Sequence, residues 1–363
     1  MKHYIFLFLV CFLLAVCGCG NSGSDSQSNN SDSSLVSIVP VNPFYLDIQT
    51  GGSQPQAVCG SIINISLKSE TEVLPDSVLF FVDNKLVRPL SDSVNFALNT
   101  SDLSCGTRLL LADVYSKGEK FRVQRSFLLS SDIVPVKKSY KVIRKIKHDE
   151  AAYTQGLLID DGFFYESTGL KGQSSLRKIS FSGEINQSIT LDDQYFGEGL
   201  ALTSDDKLVQ ITWQEHRGFV YNKNTFEKIS EFTYPTEGWG LVAYGDTLLL
   251  SDGTENIYFL DSRNFTLLKT INIFDNSGPV KRLNELEIVN GKLYANIYCS
   301  NLIAVINLSN SKVEQYIDLG GILPETERTE QTDVLNGIAY DKHNSVLYVT
   351  GKNWPWIYAI TVK

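Results

Sequence analysis

Between residues 36 and 132, apolar and polar residues alternate in short runs, at 61–67, 77–83, 93–98, 107–113 and 121–127. A period of two puts one face of each run into a core and the other into water, which predicts strands. The clusters Asp83-Asn-Lys85 and Ser116-Lys-Gly118 punctuate them as turns. Short strands at this spacing predict an immunoglobulin-like sandwich of about one hundred residues, and no chemistry is visible in it. The segment 133–138, with Pro135, reads as its boundary.

Beyond that boundary the pattern becomes a repeat. Tyr153-Thr-Gln-Gly-Leu157, Tyr195-Phe-Gly-Glu-Gly-Leu200, Glu237-Gly-Trp-Gly-Leu241, Arg282-Leu-Asn-Glu-Leu286 and Val334-Leu-Asn-Gly-Ile338 each lead into an apolar strand and a turn. The period, roughly 40 to 50 residues, is that of a four-stranded propeller blade. The predicted fold is therefore all-β, a five-bladed propeller over 138–363 preceded by the sandwich. A closed ring leaves no free edge. The lone strand at 140–146 is accordingly expected to complete the last blade as a clasp, and residues from about 140 onward to suffice for activity. Within the repeat, the position beside each Gly varies: Gln155, Glu198, Trp239, Asn284 and Asn336. Packing alone would keep that position similar, whereas a site assembled around a shared axis diversifies it.

The ends change the picture. Residues 1–18 have a Lys2 start and an apolar core over 4–16, too short to span a membrane, which reads as an export signal. Gly18 before Cys19 makes Cys19 the expected lipidation site, with Cys17 as the alternative. The stretch 19–35 is rich in Ser, Asn and Gly and reads as a flexible tether. An exported lipoprotein is expected, periplasmic or anchored at the outer membrane, with the cell surface as a further option. The net charge of −9 and the scattered basic residues provide no footprint for nucleic acid. Cys59 and Cys105 fall in one module, where they can pair or stay as two buried thiols. Cys299 lacks a neighbouring histidine signal and reads as packing.

Set together, Tyr153-Thr-Gln-Gly-Leu157, Glu166-Ser-Thr-Gly-Leu170 with Ser174-Ser-Leu-Arg177, Phe196-Gly-Glu-Gly-Leu200, Leu283-Asn-Glu-Leu-Glu287 and Val349-Thr-Gly-Lys-Asn-Trp-Pro355 form an ordered set. This set resembles the plant and bacterial type of glutaminyl-peptide cyclotransferase over about 140–363. The resemblance implies a five-bladed propeller that converts the N-terminal glutamine of peptides to pyroglutamate, with release of ammonia and no cofactor or metal. It implies Glu198 as acid/base, with Asn284 and Lys352 also at catalytic positions. An amide donor and an ammonium at the γ-carbonyl would stabilise a developing oxyanion. Gln155 is expected to orient the substrate, and Trp213, Trp239, Tyr298 and Trp354 to wall the pocket. At Asn296-Ile-Tyr298 the chain departs from the Asn-Val-Trp setting common in the family, although the tyrosine keeps an aromatic wall. Glu166, Arg177 and Glu285 are expected to form supporting ion pairs. A monomer is the expected state.

Two other classes compete. A metal-dependent, lactonase-like propeller hydrolase would hold a cation with carboxylate and Asn oxygens. Glu198, Asn284, Glu285 and Asn336 are available for that, but Lys352 would oppose the cation. A non-catalytic surface propeller binding peptides or glycans would not require Glu198, Asn284 and Lys352 together. His148, His216 and His343 show no metal-ligand spacing.

Overall fold

The computed structural model describes residues 41–50 and 55–363, all-β apart from one 3-10 turn at Glu325–Glu327. The export signal at 1–18, Cys19 and the tether at 19–35 lie outside these residues. After position 43 the chain first builds two sheets. One runs in the order Phe44–Gln49, Ile62–Ser69, Asn95–Asn99, and the other Gln56–Val58, Glu119–Ser130, Gly106–Ser116, Ser77–Val82, Lys85–Ser91. Their alternating residues, among them Ile63, Ile65, Val78, Phe80, Leu110 and Ala112, meet in one core. Cys59 and Cys105 are in that core as neighbouring thiols, with their sulfurs 2.9 Å apart. Lys85–Ser91 escapes the sequence pattern because it is an edge strand holding Pro89, with no fully buried face.

The remainder is a propeller-like ring of five sheets. The innermost strands are Thr154–Asp160, Gly197–Leu202, Leu241–Tyr244, Leu283–Val289 and Leu335–Asp341, and each touches the next around the circle, the fifth returning to the first. Burial falls from the axis outward. Gly197–Leu202 is buried at five of six positions, while Lys228–Thr233, the outermost strand of the same sheet, is exposed at five of six. Four sheets are formed by consecutive strands. In the fifth, Trp356–Val362 lies between Val346–Gly351 and Tyr140–Lys147, so the strand before the first repeat closes the ring. Short segments at Phe274–Asp275 and Val136–Lys138 extend the outer edge of the fourth sheet.

The repeated phrase has a structural meaning. In four of the five inner strands the pairing register slips at the motif, between Thr154 and Gly156, Gly197 and Leu200, Leu283 and Leu286, and Leu335 and Ile338. Such a bulge re-aims a side chain and frees backbone N–H groups from the ladder. The glycines let neighbouring inner strands come into contact. A Cβ on Gly199 would lie 2.3 Å from the Leu241 nitrogen, and one on Gly240 would lie 2.1 Å from the Asn284 oxygen. Nothing larger than hydrogen fits there.

Candidate active site

Side chains from four sheets converge at one mouth of the ring, joined there by Lys352 from the fifth. Tyr153, Gln155, Phe196, Glu198, Trp213, Trp239, Asn284, Tyr298 and Lys352 line a cavity of about 230 Å³. That is below the ~300 Å³ at which pockets for drug-sized ligands begin, and suits a single amino-acid side chain with its amine.

Glu198 is 5% exposed, and its Oε1 accepts a hydrogen bond from Gln155 Nε2 at 2.9 Å. Gln155 Oε1 in turn accepts from Asn336 Nδ2 at 3.1 Å, so a chain of amides fixes the carboxyl. Burial pushes the Glu198 carboxyl well above the ordinary carboxylate range; Lys352 opposes the shift, and Glu215 and Glu237 add to it. Lys352 is 3% exposed. Its ammonium sits 4.6 Å from the Tyr153 ring centre and 5.2 Å from that of Tyr298, a cradle of two π faces. Burial holds its pKa below the usual lysine value, against the opposing charges of Glu198 and Asp333. The proton affinities of the acid and the lysine are thereby drawn toward each other. Asn284 is buried, and its Oδ1 has no hydrogen-bond partner among the described residues.

Other predicted positions lie elsewhere. Trp354 does not line this cavity: it is 2% exposed, packs in the core beneath the fifth sheet and donates its indole N–H to the Asp333 carbonyl. Glu285 forms no ion pair among the described residues. It accepts the N–H groups of Leu157 (3.3 Å) and Ile338 (2.8 Å), two donors beside the bulges, and burial together with the Glu287 charge raises its pKa. It therefore ties three inner strands together at the axis. Glu166 pairs with His148 at 2.9 Å, both side chains fully buried, while Arg177 lies 3.9 Å from Glu166 and bonds Asp149 at 2.8 Å. Desolvation acts most strongly on His148 and lowers its pKa, but the charge and hydrogen bond of Glu166, together with the Trp354 carbonyl and the Asp149 charge, leave the imidazole pKa raised. His148 also holds the Trp354 carbonyl at 2.9 Å, which pins the turn carrying Lys352. Gln155 lines the pocket, but its amide is already engaged by Glu198 and Asn336.

The sequence did not single out Tyr153 and Phe196 as walls, although both lie inside the motifs. Tyr153 donates its hydroxyl to Asp333 Oδ2 at 2.9 Å, and Phe196 meets Trp213 edge-on at 5.6 Å.

A ring of strands that concentrates one buried acid and one buried lysine in an aromatic pocket defines a propeller-like protein of enzymatic type. The sequence profile described as glutamine cyclotransferase matches residues 120–362. The glutaminyl-peptide cyclotransferase of Arabidopsis thaliana is 37% identical over 230 residues, 61% of this chain and 71% of that one. The crystal structure of Myxococcus xanthus glutaminyl cyclase superposes with a TM-score of 0.59 at 32% identity, covering 63% of this chain and 98% of that one. The chain belongs to the glutamine cyclotransferase family.

Proposed function

We propose that Glu198 is the proton carrier of this enzyme and that Asn284 and Lys352 stabilise its transition state. The reaction is that of a glutaminyl-peptide cyclotransferase, in which an N-terminal glutamine closes to pyroglutamate. The α-amine attacks its own side-chain amide carbon, so proximity is built into the substrate. As the N–C bond forms, Glu198 takes the proton from the attacking nitrogen. The oxyanion that develops on the amide oxygen is met by the Lys352 ammonium and the Asn284 amide, at a few kcal/mol per donor. Glu198 then gives its proton to the departing nitrogen, and the C–N bond breaks to release ammonia. Trp213, Trp239 and Tyr298 pack the glutamine methylenes and exclude water, and Gln155 holds Glu198 in line.

The observation that carries this reading is that a nearly buried carboxyl and a nearly buried ammonium face one cavity sized for a single residue. Incubating the protein with a Gln-initiated dipeptide and measuring ammonia tests it: stoichiometric ammonia and pyroglutamyl peptide are expected. The scheme needs neither cofactor nor metal. Exhaustive chelation should leave the rate unchanged, and loss of activity restored by a divalent cation would favour the hydrolase class instead.

Around this centre we read the ring as a five-bladed β-propeller, residues 138–363, with 36–132 as an immunoglobulin-like spacer. Cys19 is the proposed lipid acceptor, which would place a monomeric enzyme in the periplasm or at the outer membrane. A Cys19→Ser protein that still fractionates with membranes would overturn the anchor.

A further inference from the structure

Glu237 plays no part in the scheme above, yet its carboxylate touches two walls of the pocket. Oε2 accepts the indole N–H of Trp213 at 2.9 Å and that of Trp239 at 3.1 Å, while Oε1 accepts the side-chain amide of Gln214 at 3.1 Å. The two indoles come from different sheets, Trp213 just after Lys207–Thr212 of the second and Trp239 just before Leu241–Tyr244 of the third. Both rings line the cavity, whereas Glu237 does not. An indole has a single donor and no acceptor. One oxygen outside the cavity therefore holds both N–H groups, leaving carbon surface for the substrate. The constraint spreads further, since Trp213 leans on Phe196 at 5.6 Å and Trp239 on Tyr298 at 5.4 Å.

The charge of Glu237 bears on the same site. The groups whose fields reach Glu198 are Lys352, Glu215 and Glu237, with the phenols of Tyr153, Tyr234 and Tyr298 nearby. Glu215 is neutralised in part by Lys171 at 2.7 Å. Glu237 stays ionised: burial opposes its charge, but the indole and amide donors outweigh burial and lower its pKa.

We infer that Glu237 is a positioning residue of this enzyme, locking Trp213 and Trp239 as the hydrocarbon walls of the glutamine pocket and acting through its charge on the proton carrier Glu198. The inference rests on the reading of this pocket as the cyclisation site.

Two substitutions separate the two effects. Glu237→Ala removes both clamp and charge; Glu237→Gln removes the charge and the acceptor for Gln214 but keeps one oxygen of the same reach for the two indoles. In the full chain, Glu237→Ala should lower kcat/KM about tenfold or more, mostly through KM, because hydrogen bonds to a charged group are the strong ones. Its tryptophan emission should also shift, since two of the four tryptophans in the chain are held by this carboxylate. Glu237→Gln should move the acid limb of the kcat profile to lower pH: with one negative neighbour gone, Glu198 ionises more readily and can accept a proton at lower pH. A residue serving stability alone would leave that limb where it is.

Glu198→Gln serves as the reference. If it abolishes turnover while Glu237→Ala stays within about twofold of wild type with unchanged emission, the inference falls. An unmoved acid limb in Glu237→Gln overturns the charge component. If Glu198→Gln keeps full activity while Glu237→Ala loses it with shifted emission, the clamp stands and the proton carrier must be sought elsewhere.

Discussion

At the scale of single residues, Glu198 and Lys352 line one cavity while being only 5% and 3% exposed. In bulk water their proton affinities differ by about six pKa units. Burial raises one and lowers the other. Glu198→Gln should retain the fold and some substrate binding but lower kcat by about a hundredfold or more, measured as ammonia release in a folded variant. For Lys352 the sign follows from its lowered pKa. The ammonium donor is present at low pH and is lost as pH rises through a value below 10.5, so kcat/KM should fall on the alkaline side. Lys352→Met should lower the plateau and remove that alkaline limb. The acid limb should remain, since it includes protonation of the substrate amine, whose pKa is roughly 7.7–8.0. That Glu198, Asn284 and Lys352 would share one pocket was legible in the sequence because each sits inside a motif. Glu237 as a clamp was not, because its partners Trp213 and Trp239 are brought to it only by the packing of two sheets. Trp354 was misplaced for the related reason that sequence neighbourhood to Lys352 does not say which side of the turn a ring will occupy.

At the scale of elements, the inner strand does two jobs with one phrase. Its bulge turns a polar side chain into the mouth of the ring, and its glycine lets the next strand approach. Gly199→Ala should therefore destabilise by about 2 kcal/mol or more, because the atoms it meets at 2.3 Å and 2.6 Å are backbone and cannot swing aside. A melting temperature lowered by several degrees, with kcat falling alongside it, is the expected outcome. Periodicity and turn chemistry announced these strands and the closing strand. The register slips were invisible beforehand, since a bulge is defined by the partner strand and a single sequence carries no pairing. Glu285 was misread as an ion-pair member for the same reason: its partners are backbone N–H groups of two other sheets, which leave no trace in side-chain spacing.

At the scale of the whole molecule, the N-terminal sheets and the ring are continuous. Phe274, on the edge of the fourth sheet, is buried in the core of the N-terminal module, and the Ser131 N–H bonds the Asp275 carbonyl at 3.1 Å. Lys312 reaches across to Asp132. A fragment of residues 136–363 keeps every pocket residue, so its kcat should stay within a few fold of the full chain. It would also expose Phe274, so a lower melting temperature and poorer solubility are expected, and Phe274→Ser should relieve the latter. Loss of turnover in a soluble, folded fragment would instead make the N-terminal module part of the site.

The closing strand carries one more consequence. Trp356–Val362 is not at an edge but inside its sheet, bonded on both sides, and the Lys363 N–H is tied to the Ser139 carbonyl at 2.9 Å. To leave its place this strand must break its ladders on both sides at once, and its departure would open the seam that keeps the circle shut. That strand should behave as the keystone of an arch, its amide hydrogens exchanging with solvent only when the whole ring opens.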